Sequence, residues 1–446
     1  MGPLTDPASA YNRLVEADPT AAREQWESLV ETFGRRGITF DGSPMRSLLR
    51  PDFVRRPAWD HLRRSGYRLL ALAARAARRA FEGDAARLCA WLEMPEAHAR
   101  WIVLDPGEPD VVLSRLDAFL TPGGPRFIEI NSDAPAGFGY GDGMAEVFEQ
   151  LPLFRRFATQ VPVHYEPSGR HLVEAVLRAF KARGGVGSPS VAIVDWAEVK
   201  TRADQELLRQ LFQAAGVRCL LDDPRAMSVR HNRLWSGDTA IDLVYRRGVL
   251  SELVERETEV KDFLEAYARG LAVFVNSLRC QLSEDKAFFA LLTDEAFTLL
   301  TADEAEFVRR LVPWSRKLEE RHTVRDGRPI DLLPHVIEHR ESFVLKPAHA
   351  YGGRSVYVGD ETDPETWEKA VMDGLGQAWI VQERVVIPEE EFPVFEGGAL
   401  TFEPLKINTN PFYALGAEVG AVTRVSRSNI INVSAGGGSL PTFVVG

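Results

Sequence analysis

Two short runs of alternating polar and apolar residues, joined by a turn, constrain this chain more than any other feature. They flank residues 121–125, whose Thr-Pro-Gly-Gly-Pro sequence is typical of a hairpin turn. Pairing across this turn places Asp117 opposite Glu129 and Arg115 opposite Asn131. Like charges placed opposite each other destabilise a sheet, and a bound hard cation removes that cost. The segment therefore predicts either a Mg²⁺ site or a surface hairpin with solvated acids.

Bulk composition indicates an ordinary globular protein. The chain has 446 residues, of which 45% are hydrophobic and 26% charged, so we expect two or three domains. The net charge of −11 and the lack of a basic block argue against nucleic acid or membrane lipid as partners. No apolar run reaches transmembrane length, and the N-terminus lacks a signal-peptide core.

The cysteines favour a reducing compartment. Cys89, Cys219 and Cys280 are scattered, which suggests neither a disulfide framework nor a zinc site. We therefore expect a cytoplasmic protein. The sequence gives no indication of the oligomeric state.

The pattern of predicted helices and strands changes twice along the sequence, which predicts three regions. Residues 1–168 are mostly helical and end with the hairpin and a glycine-rich stretch. Residues 169–282 alternate buried-strand candidates with a helix at 202–215, as a small α/β domain with parallel strands does. Residues 283–446 mix helices and strands, and a helix is predicted to begin at Asp285-Lys286.

A strand that ends in a lysine precedes a second glycine-rich segment. Lys346 follows Phe-Val-Leu, and Gly352, Gly353 and Ser355 come soon after it. Glycines let backbone amides approach phosphate oxygens, and a lysine adds a point charge. The order of residues is not that of a Walker A loop. The alternative is a β-turn with an exposed lysine.

A later strand carries two polar residues at its end. Gln382 and Glu383 close this strand, and Glu390 follows seven residues after Glu383. Backbone at a strand end can bind an adenine edge, and a nearby carboxylate can bind ribose hydroxyls. An edge strand with an acidic loop is the alternative.

The last segment with a chemical signature lies near the C-terminus. Arg424 and Asn432 precede the triple glycine at 436–438. A planar cation and an amide beside flexible backbone suit a phosphoryl group in transfer. A glycine-rich turn without such a role is the alternative.

Taken together, these elements resemble the ATP-grasp superfamily. Members bind two Mg²⁺ ions through an Arg-x-Asp … Glu-x-Asn pattern, matched here by Arg115-x-Asp117 and Glu129-x-Asn131. In ordinary members the metal carboxylates follow the ATP lysines, whereas here they precede Lys286. That order resembles the circularly permuted bacterial ATP-grasp proteins related to glutathionylspermidine synthase. Shared phrases over nearly the whole chain are 36–40, 127–131, 285–287, 343–347, 381–385, 423–425 and 432–438.

The resemblance implies a fold and a reaction. The fold is an α/β and α+β architecture, with an ATP-grasp core in circularly permuted order, a small Rossmann-like pre-ATP-grasp domain and a helical N-terminal region. The reaction is ATP- and Mg²⁺-dependent joining of a small-molecule carboxylate to an amine through an acyl phosphate, with ADP and phosphate as products.

The same resemblance implies roles for individual residues. Metal ligands are Asp117, Glu129 and Asn131. Nucleotide-binding residues are Lys286, Lys346, Gly352, Gly353, Ser355, Gln382, Glu383 and Glu390. Residues that stabilise the reacting phosphoryl and acyl groups are Arg115, Arg424 and Asn432.

One departure from the family affects the predicted substrate contact. Many relatives have Leu-Arg-Pro-Phe where this chain has Asn-Thr-Asn-Pro-Phe at 408–412, and we expect Lys406 to substitute in part for the missing arginine. Two alternatives to a ligase remain at this point. One is a nucleotide-binding scaffold without activity, and the other is a small-molecule kinase of the same fold.

Overall fold

The computed structural model describes residues 6–349, 355–415, 417–431 and 437–446. Within these ranges the α-helices are α1 Pro7–Glu16, α2 Pro19–Arg35, α3 Arg56–Arg79, α4 Ala85–Trp91, α5 Glu96–Ile102, α6 Phe138–Phe148, α7 Pro152–Ala158, α8 Gly169–Ala182, α9 Arg202–Ala214, α10 Leu250–Glu255, α11 Lys261–Ala268, α12 Gln281–Glu284, α13 Lys286–Thr293, α14 Ala302–Leu311, α15 Leu332–Glu338 and α16 Pro364–Gly374. Within this part of the chain, no helix is both long and apolar enough for a membrane span.

The strands of the same residues form several sheets. The first half contains β1 Thr39–Phe40, β2 Ser43–Pro44, β3 Asp52–Arg55, β4 Leu113–Thr121, β5 Gly124–Asn131, β6 Val163–Tyr165, β7 Val191–Val194, β8 Cys219–Asp222, β9 Met227–Arg230, β10 Arg233–Ser236, β11 Thr239–Ile241 and β12 Leu243–Arg246. The second half contains β13 Val273–Val275, β14 Ser315–Lys317, β15 His322–Arg325, β16 Arg328–Asp331, β17 Phe343–Pro347, β18 Tyr357–Val358, β19 Trp379–Glu383, β20 Glu389–Glu396, β21 Ala399–Ala414, β22 Ala417–Ser426 and β23 Gly438–Val445.

The largest sheet joins the two ends of the chain. Its order is β3-β23-β22-β21-β4-β5, with β20 added beside β21 and β6 beside β23. β3 runs parallel to β23, whereas the other pairs in this sheet are antiparallel. The β4–β5 hairpin therefore lies at one end of the sheet, next to the long strand β21.

The predicted hairpin is confirmed, including its register. Asp117 pairs with Glu129 and Arg115 pairs with Asn131. The turn itself is tighter than a symmetric pairing of these residues requires, since Thr121 pairs with Gly124. A β-bulge adds one residue to β5, between Phe127, which pairs with Ala118, and Glu129.

The period-two pattern separates the two faces of this hairpin. Leu116, Ala118, Phe127 and Ile130 belong to an apolar core that also contains Trp59 and Leu62 of α3. At Gly66 of α3 a Cβ atom would lie 1.8 Å from the Tyr413 hydroxyl oxygen, so the close approach of helix and sheet requires glycine there. The polar residues of the hairpin are left on the opposite face.

The predicted small α/β region contains a parallel sheet. Its order is β13-β12-β7-β8, and all three pairings are parallel. β7, β12 and β8 are the three strands that the sequence predicts, and β13 is an addition. The helix predicted at 202–215 is α9.

Side chains from this parallel sheet and its helix hold the chain that follows the hairpin. Arg246, at the end of β12, lies 2.5 Å from Asp133 in a buried ion pair. Asp204 of α9 accepts hydrogen bonds from the backbone N–H groups of Gly137, Gly139 and Tyr140. The glycine-rich start of α6 is thus fixed by a neighbouring region.

A second antiparallel sheet carries the predicted lysine. Its order is β14-β19-β17-β18, and it has its own apolar core that includes Trp367. Lys346 lies on β17 and Gln382 on the adjacent β19. One continuous cavity is lined by residues of this sheet and of the large sheet.

Candidate functional site

Most of the predicted residues on the two sheets line one cavity of about 680 Å³, which we call the central cavity. The large sheet contributes Arg115, Asp117, Glu129, Asn131 and Arg424, whereas the second sheet contributes Lys346, Gln382 and Glu383; Lys286 comes from the start of α13. Lys346 and the hairpin are more than 200 residues apart in the chain. A volume of this size is typical of a pocket for one or more small molecules.

Asp117 is paired with three side chains on the cavity wall. Its Oδ1 accepts hydrogen bonds from Arg115 Nε at 3.1 Å and Asn131 Nδ2 at 3.0 Å. Its Oδ2 lies 3.3 Å from Arg424 Nη1. Burial raises the pKa of Asp117, but the charges of Arg115 and Arg424 outweigh it, so the net shift is downward. Asp117 is therefore ionised.

Arg115 and Arg424 contact different oxygens of the Asp117 carboxylate. Burial, together with the charge of Arg115, lowers the pKa of Arg424 to about 10, although Asp117 and Glu129 act in the opposite direction. Arg424 remains protonated at neutral pH. The two guanidiniums hold a fixed positive charge directly beside the paired acids.

The two lysines have different surroundings. Lys286 Nζ lies 2.9 Å from Glu129 Oε1. Burial lowers the pKa of Lys286, but the charge and hydrogen bond of Glu129, together with the charges of Asp285 and Glu284, outweigh burial, so the net shift is upward. Lys346 Nζ donates to the neutral Gln382 Oε1 at 2.8 Å, and burial lowers its pKa to about 8. Lys346 is thus a buried cation whose direct hydrogen-bond partner is neutral.

The hairpin supplies a donor set that suits a hard cation. Asp117, Glu129 and Asn131 bring two carboxylates and an amide to neighbouring positions on one strand pair. Among the described residues no group of three or more His, Cys, Asp or Glu side chains is arranged to hold a metal. A Mg²⁺ ion here would therefore need the amide and oxygens from a bound ligand to complete its coordination.

The end of β19 offers fewer backbone donors than the sequence pattern suggests. The Glu383 N–H donates to the Trp314 carbonyl at 2.7 Å, and the Arg384 N–H donates to the Ser342 carbonyl at 2.8 Å. The Glu383 carboxylate lies 2.8 Å from Arg126 Nη2. A nucleobase at this end of the cavity would thus contact mainly side chains and carbonyl groups. Apolar residues here are Val344, Val356, Val358, Val386 and Ile387.

The glutamate predicted to bind ribose does not line the cavity. Glu390 pairs instead with the fully buried guanidinium of Arg50 at 2.8 Å. Its neighbour Glu389 lines the cavity and lies 3.8 Å from Lys406. Successive residues of a strand point to opposite faces, so Glu390 is one position out of phase with the cavity.

The structure describes only part of the two glycine-rich segments that follow Lys346 and Arg424. Gly352, Gly353 and Asn432 lie outside the described residues. Ser355 is exposed and has a positive φ of 56°, and it is not among the residues that line the cavity. Their predicted roles remain predictions.

Several cavity residues have no counterpart among those predicted. Glu284, Asp285, His349 and His98 form one wall beyond Lys286. Glu284 accepts close hydrogen bonds from the backbone N–H groups of Ser132 and Asp133. Burial and the Asp133 charge raise the pKa of Glu284 to about 8. The sequence signal for this wall was the run Glu284-Asp285-Lys286, of which only Lys286 was interpreted.

Comparison with known proteins identifies the fold. No family model matches the chain, and no curated protein matches it by sequence. A glutathione synthetase-like effector from Globodera pallida, solved in its apo form, superimposes with a TM-score of 0.60 at 13% identity, over 95% of this chain and 96% of that one. The chain therefore has a glutathione synthetase-like fold of mixed α and β structure.

A second structural match is weaker. A protein named as a gamma-glutamylcysteine synthetase, from Methylobacillus flagellatus KT, gives a TM-score of 0.42 at 12% identity, over 84% of this chain and 87% of that one.

Proposed function

We propose that this protein is an ATP-dependent ligase that joins a carboxylate to an amine. The observation that carries the proposal is the central cavity, where the paired acids of the hairpin and two lysines from other elements face one space. Arg115 and Arg424 compensate the charge of Asp117, and Lys286 compensates that of Glu129, so acids and cations form one dense charged cluster on the cavity wall. A nucleoside triphosphate with a divalent cation matches this arrangement of charges.

The proposed roles follow from position and charge. Lys346 and Lys286 bind phosphate oxygens, and the apolar end of the cavity near Val386 holds the adenine. Mg²⁺ bound by Asp117, Glu129 and Asn131 would neutralise charge on the phosphates. Because Lys346 is buried beside a neutral amide, an anionic ligand gains more from it than from a cation that is already paired.

Arg424 and Arg115 are the proposed stabilisers of the reacting anion. A substrate carboxylate attacks the γ-phosphorus of ATP, ADP leaves, and an acyl phosphate forms. The amine then attacks the acyl carbon, phosphate leaves, and the amine loses a proton. Both guanidiniums are held in place by Asp117, so they can stabilise the carboxylate and the later tetrahedral oxyanion without reorganisation.

We also propose that the fold is an ATP-grasp fold in circularly permuted order. Support comes from the hairpin and Lys346, which line one cavity although the hairpin precedes Lys286 in the chain. The relation to glutathionylspermidine synthase remains a prediction from the sequence phrases.

The test is a screen for ADP release with Mg²⁺ and ATP, over pairs of carboxylates and amines, with mass spectrometry of the products. Equal amounts of ADP, phosphate and an amide support the proposal. ADP together with a stable phosphorylated acid, formed equally well without amine, would instead identify a kinase. Nucleotide binding without turnover of any pair would favour a scaffold. The Glu129→Gln variant is the control for contaminating ATPases.

A further inference from the structure

His349 joins three segments of the chain at the wall of the central cavity. It lies three residues after Lys346, and its Nδ1 is 2.6 Å from Asp285 Oδ2. Its Nε2 is 3.1 Å from the backbone carbonyl oxygen of Glu93. Asp285 directly precedes Lys286, so this single ring links the segments that carry both lysines.

The partners of the ring define its protonation state. A carbonyl oxygen can only accept, so Nε2 must carry a proton. Asp285 Oδ1 accepts the N–H of Ala287 at 2.8 Å as the cap of α13, which leaves Oδ2 as the acceptor that faces His349 Nδ1. With two acceptors, both ring nitrogens donate, and His349 is an imidazolium.

The electrostatic surroundings agree with this geometry. Burial lowers the pKa of His349, but the hydrogen bonds and charges of Asp285 and Glu93 together outweigh burial, so the net shift is upward. The Glu93 carboxylate itself forms a close ion pair with Lys317. From α5, His98 faces His349, and burial together with that charge lowers the pKa of His98.

We propose that His349 is a positioning residue: as an imidazolium bound to Asp285 and Glu93, it fixes the spacing between Lys286 and Lys346 and so sets the affinity for nucleotide. This inference rests on the proposed function, because it assigns both lysines to one nucleotide. The ring is held at both nitrogens, by the carboxylate of Asp285 beside Lys286 and by the backbone carbonyl of Glu93.

The first measurement needs no nucleotide. Imidazole NMR titration of the full chain, with His349 assigned through His349→Asn, should give a pKa above that of an ordinary histidine. Asp285→Asn retains a capping oxygen but removes the charge, so it should bring this pKa down. His171→Asn is the matched control, since His171 also neighbours a carboxylate, Glu174, but lies outside the cavity lining. An ordinary pKa of His349 in the parent would overturn the imidazolium.

The second measurement is calorimetric binding of Mg²⁺ and AMP-PNP. We expect His349→Ala and Asp285→Asn each to weaken binding about fivefold to tenfold, and the double variant to be no weaker than either single one. The loss in His349→Ala should shrink as the pH rises through the measured pKa of His349, which a purely structural defect would not produce.

The outcomes separate the two proposals. A parent that binds AMP-PNP, with variants that bind equally well at every pH, overturns the role of His349 and leaves the proposed function standing. A parent that does not bind AMP-PNP overturns both, whatever the titration gives. Full additivity in the double variant shows that the residues act separately and also overturns the inference.

Discussion

The two sheets that line the central cavity present their charges in opposite ways. On the large sheet, Asp117 is held by two guanidiniums and an amide, so the wall is internally neutralised before any ligand arrives. On the second sheet, Lys346 is buried, and among the described residues it donates to the neutral side chain of Gln382. The first wall has its charges paired within the protein, whereas the second retains an attraction for an anion.

This difference predicts separate roles for the two walls, one in turnover and one in nucleotide binding. The paired wall holds groups in fixed geometry, as chemistry on a developing anion requires. The wall with Lys346 carries a desolvated charge that a bound phosphate would compensate, as affinity for the nucleotide requires. Perturbing the first wall should therefore affect turnover most, and perturbing the second should affect binding most.

Glu129→Gln should have the largest effect. The substitution is nearly isosteric but removes one of the two paired acids and the ion pair to Lys286. We expect turnover to fall at least about 100-fold, with the fold retained as judged by circular dichroism. Steady-state ADP release measures the effect. A folded variant with unchanged turnover would show that Glu129 has no role in the reaction. It would also contradict the proposed difference between the two walls.

Lys346→Met should have the next largest effect, on binding. Loss of a charge-assisted contact to phosphate should weaken ATP affinity about 30- to 100-fold and abolish the ATP-induced rise in melting temperature. The unliganded melting temperature should change little, because the lost hydrogen bond to Gln382 is offset by relief of a buried charge. Equal ATP-induced shifts in variant and parent would place the phosphate site elsewhere.

The pH dependence of ATP affinity should test the role of Lys346. Without ligand, the pKa of Lys346 is about 8, so the lysine loses its proton as the pH rises through that value. ATP binds the protonated form, and affinity should therefore fall about tenfold between pH 7 and pH 9. Calorimetry at the two pH values provides the measurement. Lys346→Met should abolish most of this dependence, and a parent affinity that is flat over this range would contradict the role.

Glu390→Gln should have the smallest effect on nucleotide binding. Glu390 is the partner of buried Arg50, so its removal should lower the free energy of unfolding by about 1–3 kcal/mol. ATP affinity should stay within about twofold of the parent, because Glu390 does not line the cavity. Glu389→Gln is the matched control, half-exposed and 3.8 Å from Lys406, with little expected change in stability. A large loss of ATP affinity in Glu390→Gln alone would restore the ribose role.

Local patterns were sufficient to predict the hairpin, the strand that ends in Lys346 and the helix that begins at Lys286. Each depends on period-two or period-3.6 alternation and on turn chemistry within about 20 residues. The pairing of Asp117 with Glu129 was predicted correctly, but the bulge that reconciles it with the tight turn was not. A bulge of one residue leaves no distinct signal in a single sequence.

Contacts between residues far apart in the chain could not be predicted from local sequence patterns. Glu390 was assigned to ribose because it lies at a suitable distance along the chain, but Arg50, 340 residues away in sequence, determines its position. His349 lies between the strand residue Lys346 and the glycine-rich segment, where sequence alone indicates a loop. Its proposed role depends on Asp285 and Glu93, which only the folded chain brings next to it.

The parallel pairing of β3 with β23 has a consequence for biosynthesis. Asp52 of β3 lies opposite Thr442 of β23, so the large sheet cannot close until the ribosome has added these late residues. The hairpin and α3 can form early, but the polar face with Arg115 and Asp117 must wait for Arg424 to arrive on β22. During synthesis Asp117 can pair with Arg115 of its own strand, but Glu129 waits for Lys286 and the edge of β4 stays open until β21 has been added. An open strand edge is a feature to which chaperones would be expected to bind.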